Sequence, residues 1–230
     1  MTAGLLVVAY GEDETIVARQ GDGVLIPAGT RMKMSWPGPC QYVPICLPAF
    51  SPALCHREDD GTCVKTVEDI DKLDQLHAKS GAGEVAVAAV VETRKPQLFK
   101  AVDVVAAQAL TITEYHGNVA SKNVALSACL VTVVAPCEEA YQCPQFDEYV
   151  LVTAGSVLLK HGDGCKTVVR QRRGLVLKAG EGVKWTWPGP CQHVAICLPA
   201  FTPSNCGREA EAWAAKDEAA EDDAKKAEEK

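Results

Sequence analysis

The feature that most constrains this chain is a sentence it spells twice. "WPGPCQYVPICLPAF" runs from Trp36 to Phe50, and "WPGPCQHVAICLPAF" from Trp187 to Phe201. A shift of 151 residues aligns Thr2 through Asp59 with Thr153 through Ala210 without a gap. Gly4 falls on Gly155, Gly11 on Gly162, Gly23 on Gly174 and Gly29 on Gly180, while Cys40, Cys46 and Cys55 fall on Cys191, Cys197 and Cys206. Two copies of one unit follow, and the unit sets the architecture.

Within the second copy, short Val, Leu, Thr and Trp runs are cut by Gly-Asp-Gly, Ala-Gly-Glu-Gly and Pro-Gly-Pro. Turn signals at such close spacing mark an all-β unit that closes as a sandwich or barrel. Upstream, "QALTITEYHGN", "VALSACLVTVVAP" and "YQCPQFDEYVLVTAG" add further strand-like runs. "DEYVLVTAG" resembles the end of the first cupin motif, with Glu148 and Gly155 separated by six residues, and "GDGVLIPAG" resembles the start of the second. The "ICLPAF" ending is similar to that of small microbial cupins. The resemblance implies a cupin jelly-roll β-barrel, one complete copy at 97–207 and a partial copy at 1–59.

The first copy lacks any counterpart of residues 97–152 ahead of Met1. A half barrel exposes unpaired strand edges. Three arrangements are open: a first motif that begins before Met1, completion by a second subunit as in a homodimer, or packing of the half barrel on the whole one. The first is the favoured expectation. Between the copies, at 60–96, "TVEDIDKLDQLHAKSG" reads as a linker helix capped at Thr66 and ended at Gly81. The last segment, 208–230, carries charges on most turns and reads as a solvated helix or a disordered tail.

The formal net charge of -7 and the absence of a basic stripe argue against a nucleic-acid surface. The apolar run at the N-terminus has acids straight after it and is too short for a membrane span, which makes a cytoplasmic setting the default, with an organelle open if the chain starts earlier. Eleven cysteines in a chain with 47% hydrophobic residues read as small buried thiols, with at least one unpaired.

Cupin enzymes, as the resemblance implies, hold a divalent metal with two His and a Glu of the first motif and a His of the second. Here Glu148 stands at the Glu position. The His positions fall on Tyr141 and Cys143, or on Gln142 and Pro144 in the other spacing, and the second-motif His falls on Val183, or on Met32 in the first copy. No imidazole remains, so no metal cofactor is expected, and a divalent ion at Glu148 and Cys143 is the minor alternative. If position 183 points inward, Trp185 and Trp187 share its side of the strand and offer a stacking wall. His193, which shares its face with Cys191 and Cys197, completes the candidate set of Tyr141, Cys143, Glu148, Val183, Trp185 and His193. The expectation is a cupin-fold protein that binds a small organic ligand or has a structural role. A metal-dependent isomerase, lyase or dioxygenase with an unusual centre and an interaction subunit of a larger assembly are its rivals.

Overall fold

The computed structural model describes residues 1–50, 75, 95–162 and 164–208. The expected linker helix and charged tail fall outside these residues, apart from their single positions 75 and 208. Every strand pairing is antiparallel.

The second copy is built from two sheets. One is six-stranded, in the order β13 (Gly174–Leu177), β10 (Asp147–Ala154), β15 (Cys191–Leu198), β8 (Ser127–Val133), β7 (Leu110–His116) and β6 (Val102–Ala106). The other is four-stranded, in the order β12 (Cys165–Arg170), β11 (Ser156–His161), β14 (Val183–Trp187) and β9 (Cys137–Glu138). Successive side chains of a strand point to opposite faces. In β10 this period buries Glu148, Val150 and Val152 and leaves Tyr149 and Leu151 about two-fifths exposed. In β14 it buries Val183, Trp185 and Trp187.

The core draws from both sheets: Val131, Val150 and Ala195 from the larger face Leu159, Val169 and Val183 from the smaller. Two sheets joined by one core form a sandwich, one of the two closures that the turn-punctuated sequence predicts, in the jelly-roll arrangement that the resemblance implies. Gly155 makes the passage from β10 to β11 possible. Its φ is +71°, and a Cβ there would lie 2.2 Å from the Pro190 carbonyl oxygen, so a side chain would be both strained and blocked.

The first copy keeps the early strands and loses the last. β1 (Leu5–Tyr10), β2 (Glu14–Arg19) and β4 (Met32–Ser35) form a three-stranded sheet, ordered β2-β1-β4, over a small core of Leu6, Val8 and Ala18. β3 (Asp22–Leu25) pairs instead with β5 (Gln97–Lys100), so β5 serves the first copy while the six-stranded sheet starts at β6. Asp22 is buried at this junction. Burial alone would raise its pKa, but the Lys100 ammonium and the Arg19 N–H on its carboxylate outweigh that and hold it below the usual range. Gly23 sits so close to the Tyr115 carbonyl, 2.5 Å from where a Cβ would stand, that the copies approach backbone to backbone here.

All nine cysteines among the described residues are free thiols. No described helix is long and apolar enough to cross a membrane.

Candidate functional site

A cavity of about 600 Å³ lies between the sheets of the second copy, within the range that holds a small organic molecule. Strands β6, β7, β8, β10, β14 and β15 supply its walls, and the 201–208 segment contributes Phe201, Cys206 and Arg208. The inward period of each strand decides which side chains reach it: Glu148 from β10, Trp185 and Trp187 from β14, and His193, Ala195 and Cys197 from β15.

Three rings form one wall. Trp185, Trp187 and His193 stack pairwise, with centroids 5.9, 5.7 and 6.0 Å apart and planes within 17° of parallel. Burial pushes the His193 pKa down to about 4, so the imidazole is neutral at physiological pH. Its Nδ1 and the Trp187 Nε1 are both buried without a hydrogen-bond partner among the described residues. Groups left in this way weaken a fold by roughly 1–3 kcal/mol each, so they are kept where a site needs them or where packing compensates.

The carboxyl groups differ in their commitments. Glu148 is 9% exposed, and burial, assisted by the nearby Glu139, pushes its pKa up to about 8. At neutral pH it is therefore mostly protonated and can donate a hydrogen bond. Burial also raises Glu139, against the pull of Arg208, whose Nη2 lies 3.6 Å from Oε1. Glu114 belongs to the wall's own construction: its Oε1 accepts the N–H groups of Val119 and Ala120, both at 2.7 Å. Gly117 is glycine there because a Cβ would approach that carboxyl to 2.8 Å at a φ of +144°. Asp103 accepts the Thr113 hydroxyl at 2.7 Å.

Three thiols complete the lining. Burial, with Glu114 and Glu148 nearby, pushes Cys129 up to about 12, and burial pushes Cys197 and Cys206 upward too. These are neutral thiols rather than nucleophilic thiolates. Cys206 Sγ donates to Gln142 Oε1 at 2.8 Å.

Of the six residues named from sequence, Glu148, Trp185 and His193 meet in this wall, whereas Tyr141, Cys143 and Val183 do not line it. Val183 is fully buried in the core, paired to His161 and bridged to Gln142. Cys143 turns its Sγ to the Gly180 carbonyl at 3.3 Å. Tyr141 lies half-buried with the Lys184 ammonium 6.0 Å from its ring centre. Sequence reasoning missed Glu114, Glu139, Cys129 and Arg208, and it met Gln142 only as a vacant imidazole position and Cys206 only as a repeated cysteine. Only Glu114 left a legible signal, an acid at the inward parity of "LTITEYH" beside Leu110 and Ile112. Glu139, Gln142 and the 201–208 residues sit on irregular segments with no period to read.

The donor set does not fit the metal that cupin enzymes carry. Among the described residues no three His, Cys, Asp or Glu side chains are placed to hold an ion. At the expected imidazole positions only Gln142 reaches the cavity, and its amide oxygen already accepts the Cys206 thiol.

No family model matches the chain, and no curated protein matches it either. Solved structures do. KdgF from Halomonas sp. is similar at 13% identity and a TM-score of 0.37, covering 44% of this chain and 89% of that one. An RmlC-like cupin from Shewanella frigidimarina is similar at 14% identity and a TM-score of 0.37, covering 44% and 85%. An oxalate decarboxylase variant from Bacillus subtilis is similar at 10% identity and a TM-score of 0.40, covering 48% of this chain and 30% of that one. Each match covers less than half of this chain, and the six- and four-stranded sheets of its second copy form a jelly-roll sandwich.

Proposed function

We propose that this protein binds a small organic ligand in the cavity of its second copy and does so without the metal centre of cupin enzymes. The observation that carries the reading is the cavity itself: about 600 Å³ of space walled by stacked rings and aliphatic side chains, with a buried carboxyl at Glu148. Apolar walls favour transfer of the ligand body from water, and a few fixed polar groups set its orientation. Glu148, neutral when the cavity is empty, supplies a hydrogen-bond donor and acceptor in the same wall. The rings of Trp185 and Trp187 supply flat area with little side-chain entropy to lose.

A thermal-shift screen of small organic compounds tests this, with Ala195→Phe as the filled-cavity control. Ala195 lines the cavity and is 7% exposed. Compounds that raise Tm in the natural protein and leave the filled variant unmoved are the expected result. A library that shifts neither protein overturns the reading. About one transition metal per chain after purification without chelators would overturn its metal-free half.

A second reading is association of two copies of the chain through the first copy. It is favoured by the exposure of Trp36, Ile45 and Leu47, whose counterparts in the second copy lie within a paired strand or beside it. Light scattering decides it: a concentration-independent monomer removes the idea.

A further inference from the structure

The charge in the cavity wall goes further than shape. Acids outnumber cations there, with Asp103, Glu114, Glu139 and Glu148 against Arg208 among the described lining residues. Three of the acids are accounted for. Asp103 takes the Thr113 hydroxyl, Glu114 takes two backbone N–H groups, and Glu139 faces Arg208. Glu148 is different. Its carboxyl is nine-tenths buried, lines the cavity, and has no hydrogen bond or ion pair among the described residues.

Among the described residues, the elements packed around Glu148 do not supply a counter-charge. Its register partners are Leu177 on β13 and Cys197 on β15, Cys129 and His193 come from β8 and β15, and Glu139 is a like charge that acts on it. Arg208 is engaged with Glu139 and is half exposed.

We infer that the cavity selects an organic cation, an ammonium group directed at Glu148 with an apolar body against the Trp185 and Trp187 wall. The inference rests on the small-ligand reading above and narrows it. An anionic ligand would take at most one hydrogen bond from the protonated Glu148 and would face an excess of acids in the same wall. An uncharged ligand can share a hydrogen bond with Glu148 but leaves the excess of acids without a counter-charge. A bare divalent ion lacks a third donor in place. An alkylammonium answers both features at once, because its charge favours the ionised form of Glu148, whose proton passes to solvent as the pair forms, and its methyl groups are drawn to aromatic rings.

Isothermal titration with choline and with its uncharged tert-butyl isostere, 3,3-dimethylbutan-1-ol, tests this on the natural protein. The two probes share a shape and differ by one charge. Choline is expected to bind at least about tenfold more tightly, the factor that corresponds to one modest charge-assisted contact. Glu148→Gln keeps the side-chain shape and is expected to bring choline down to the level of the isostere, with circular dichroism confirming that the variant is folded. Should that variant fail to fold, the comparison of the two probes on the natural protein still decides the matter. An isostere that binds as tightly as choline, or choline binding that survives Glu148→Gln unchanged, overturns the cation inference. If neutral or anionic library compounds bind and Ala195→Phe abolishes that binding, the cation inference falls while the small-ligand reading stands. If nothing binds, both fall.

Discussion

Residues 36–50 and 187–201 differ at two positions out of fifteen, Tyr42 against His193 and Pro44 against Ala195, yet they meet different fates. Cys191–Leu198 is a central strand, hydrogen-bonded to β10 on one side and β8 on the other. In the first copy the same letters form no strand, and only Gln41 bridges to Ala3. Trp187 is 3% exposed and Trp36 is 48% exposed. What the two stretches share is local. Gly4 and Gly155 have φ of +76° and +71°, and in each a Cβ would meet a proline carbonyl, of Pro39 or Pro190, at 2.2 Å. The turn is written in the letters that form it. The strand is not, because strand pairing needs partners elsewhere in the chain, and the described part of the first copy has no counterparts of β8 and β10.

The comparison can be broken by experiment. The largest contrast is expected from Trp187→Ala, which removes a buried ring from the core and should lower stability by about 4 kcal/mol, against Trp36→Ala at no more than about 1 kcal/mol. Urea midpoints of both variants measure it, and equal losses would show that the first copy hides its tryptophan as well. Next comes exchange of the differing residue. Every N–H along β15 faces a strand, so Ala195→Pro is expected to cost about 3 kcal/mol, while Pro44→Ala in the unpaired copy changes stability by about 0.5 kcal/mol at most.

The other difference, His193 against Tyr42, sharpens the comparison through pH. The folded His193 titrates at about 4 and the unfolded imidazole near 6.5, so between these values the unfolded state binds the extra proton. Stability from this group is complete above about pH 6.5 and is lost as pH falls toward 4, on the order of 3 kcal/mol in all. His193→Phe should lack that loss, and the gap between variant and natural protein should open over this window in denaturant titrations. Parallel curves would contradict the neutral buried ring. The mildest probe changes no stability at all. Cys46 is exposed and Cys197 is buried, so a thiol reagent should label Cys46 at once and Cys197 only as fast as the barrel opens. Peptide mapping of the labelled sites reads the order, and early labelling of Cys197 would mean an open sheet.

Glu148 was named as the Glu of the motif, Trp185 by its two-residue spacing from position 183 and His193 by the strand face it shares with Cys191 and Cys197, and all three lie on regular strands that carry them to the cavity. Tyr141, Cys143 and Val183 were reached only by counting from a motif, and the backbone turns them elsewhere: Cys143 to the Gly180 carbonyl and Val183 into the core. Glu139 and Arg208 could not be found this way, since irregular segments carry no parity and their meeting joins residues far apart in the chain.

By itself, the sequence determined the duplicated all-β unit, the turns at Gly4 and Gly155, and the alternation that sends Glu148 and Trp185 to one side of their strands. These depend on contacts between near neighbours, which the order of residues specifies directly. Only the tertiary structure decided that one WPGPC stretch continues into a buried strand and the other does not, that β5 pairs with β3, and that Glu148 has no hydrogen-bond partner among the described residues beside stacked rings. Those outcomes depend on which distant strands are present to supply hydrogen bonds and to exclude water.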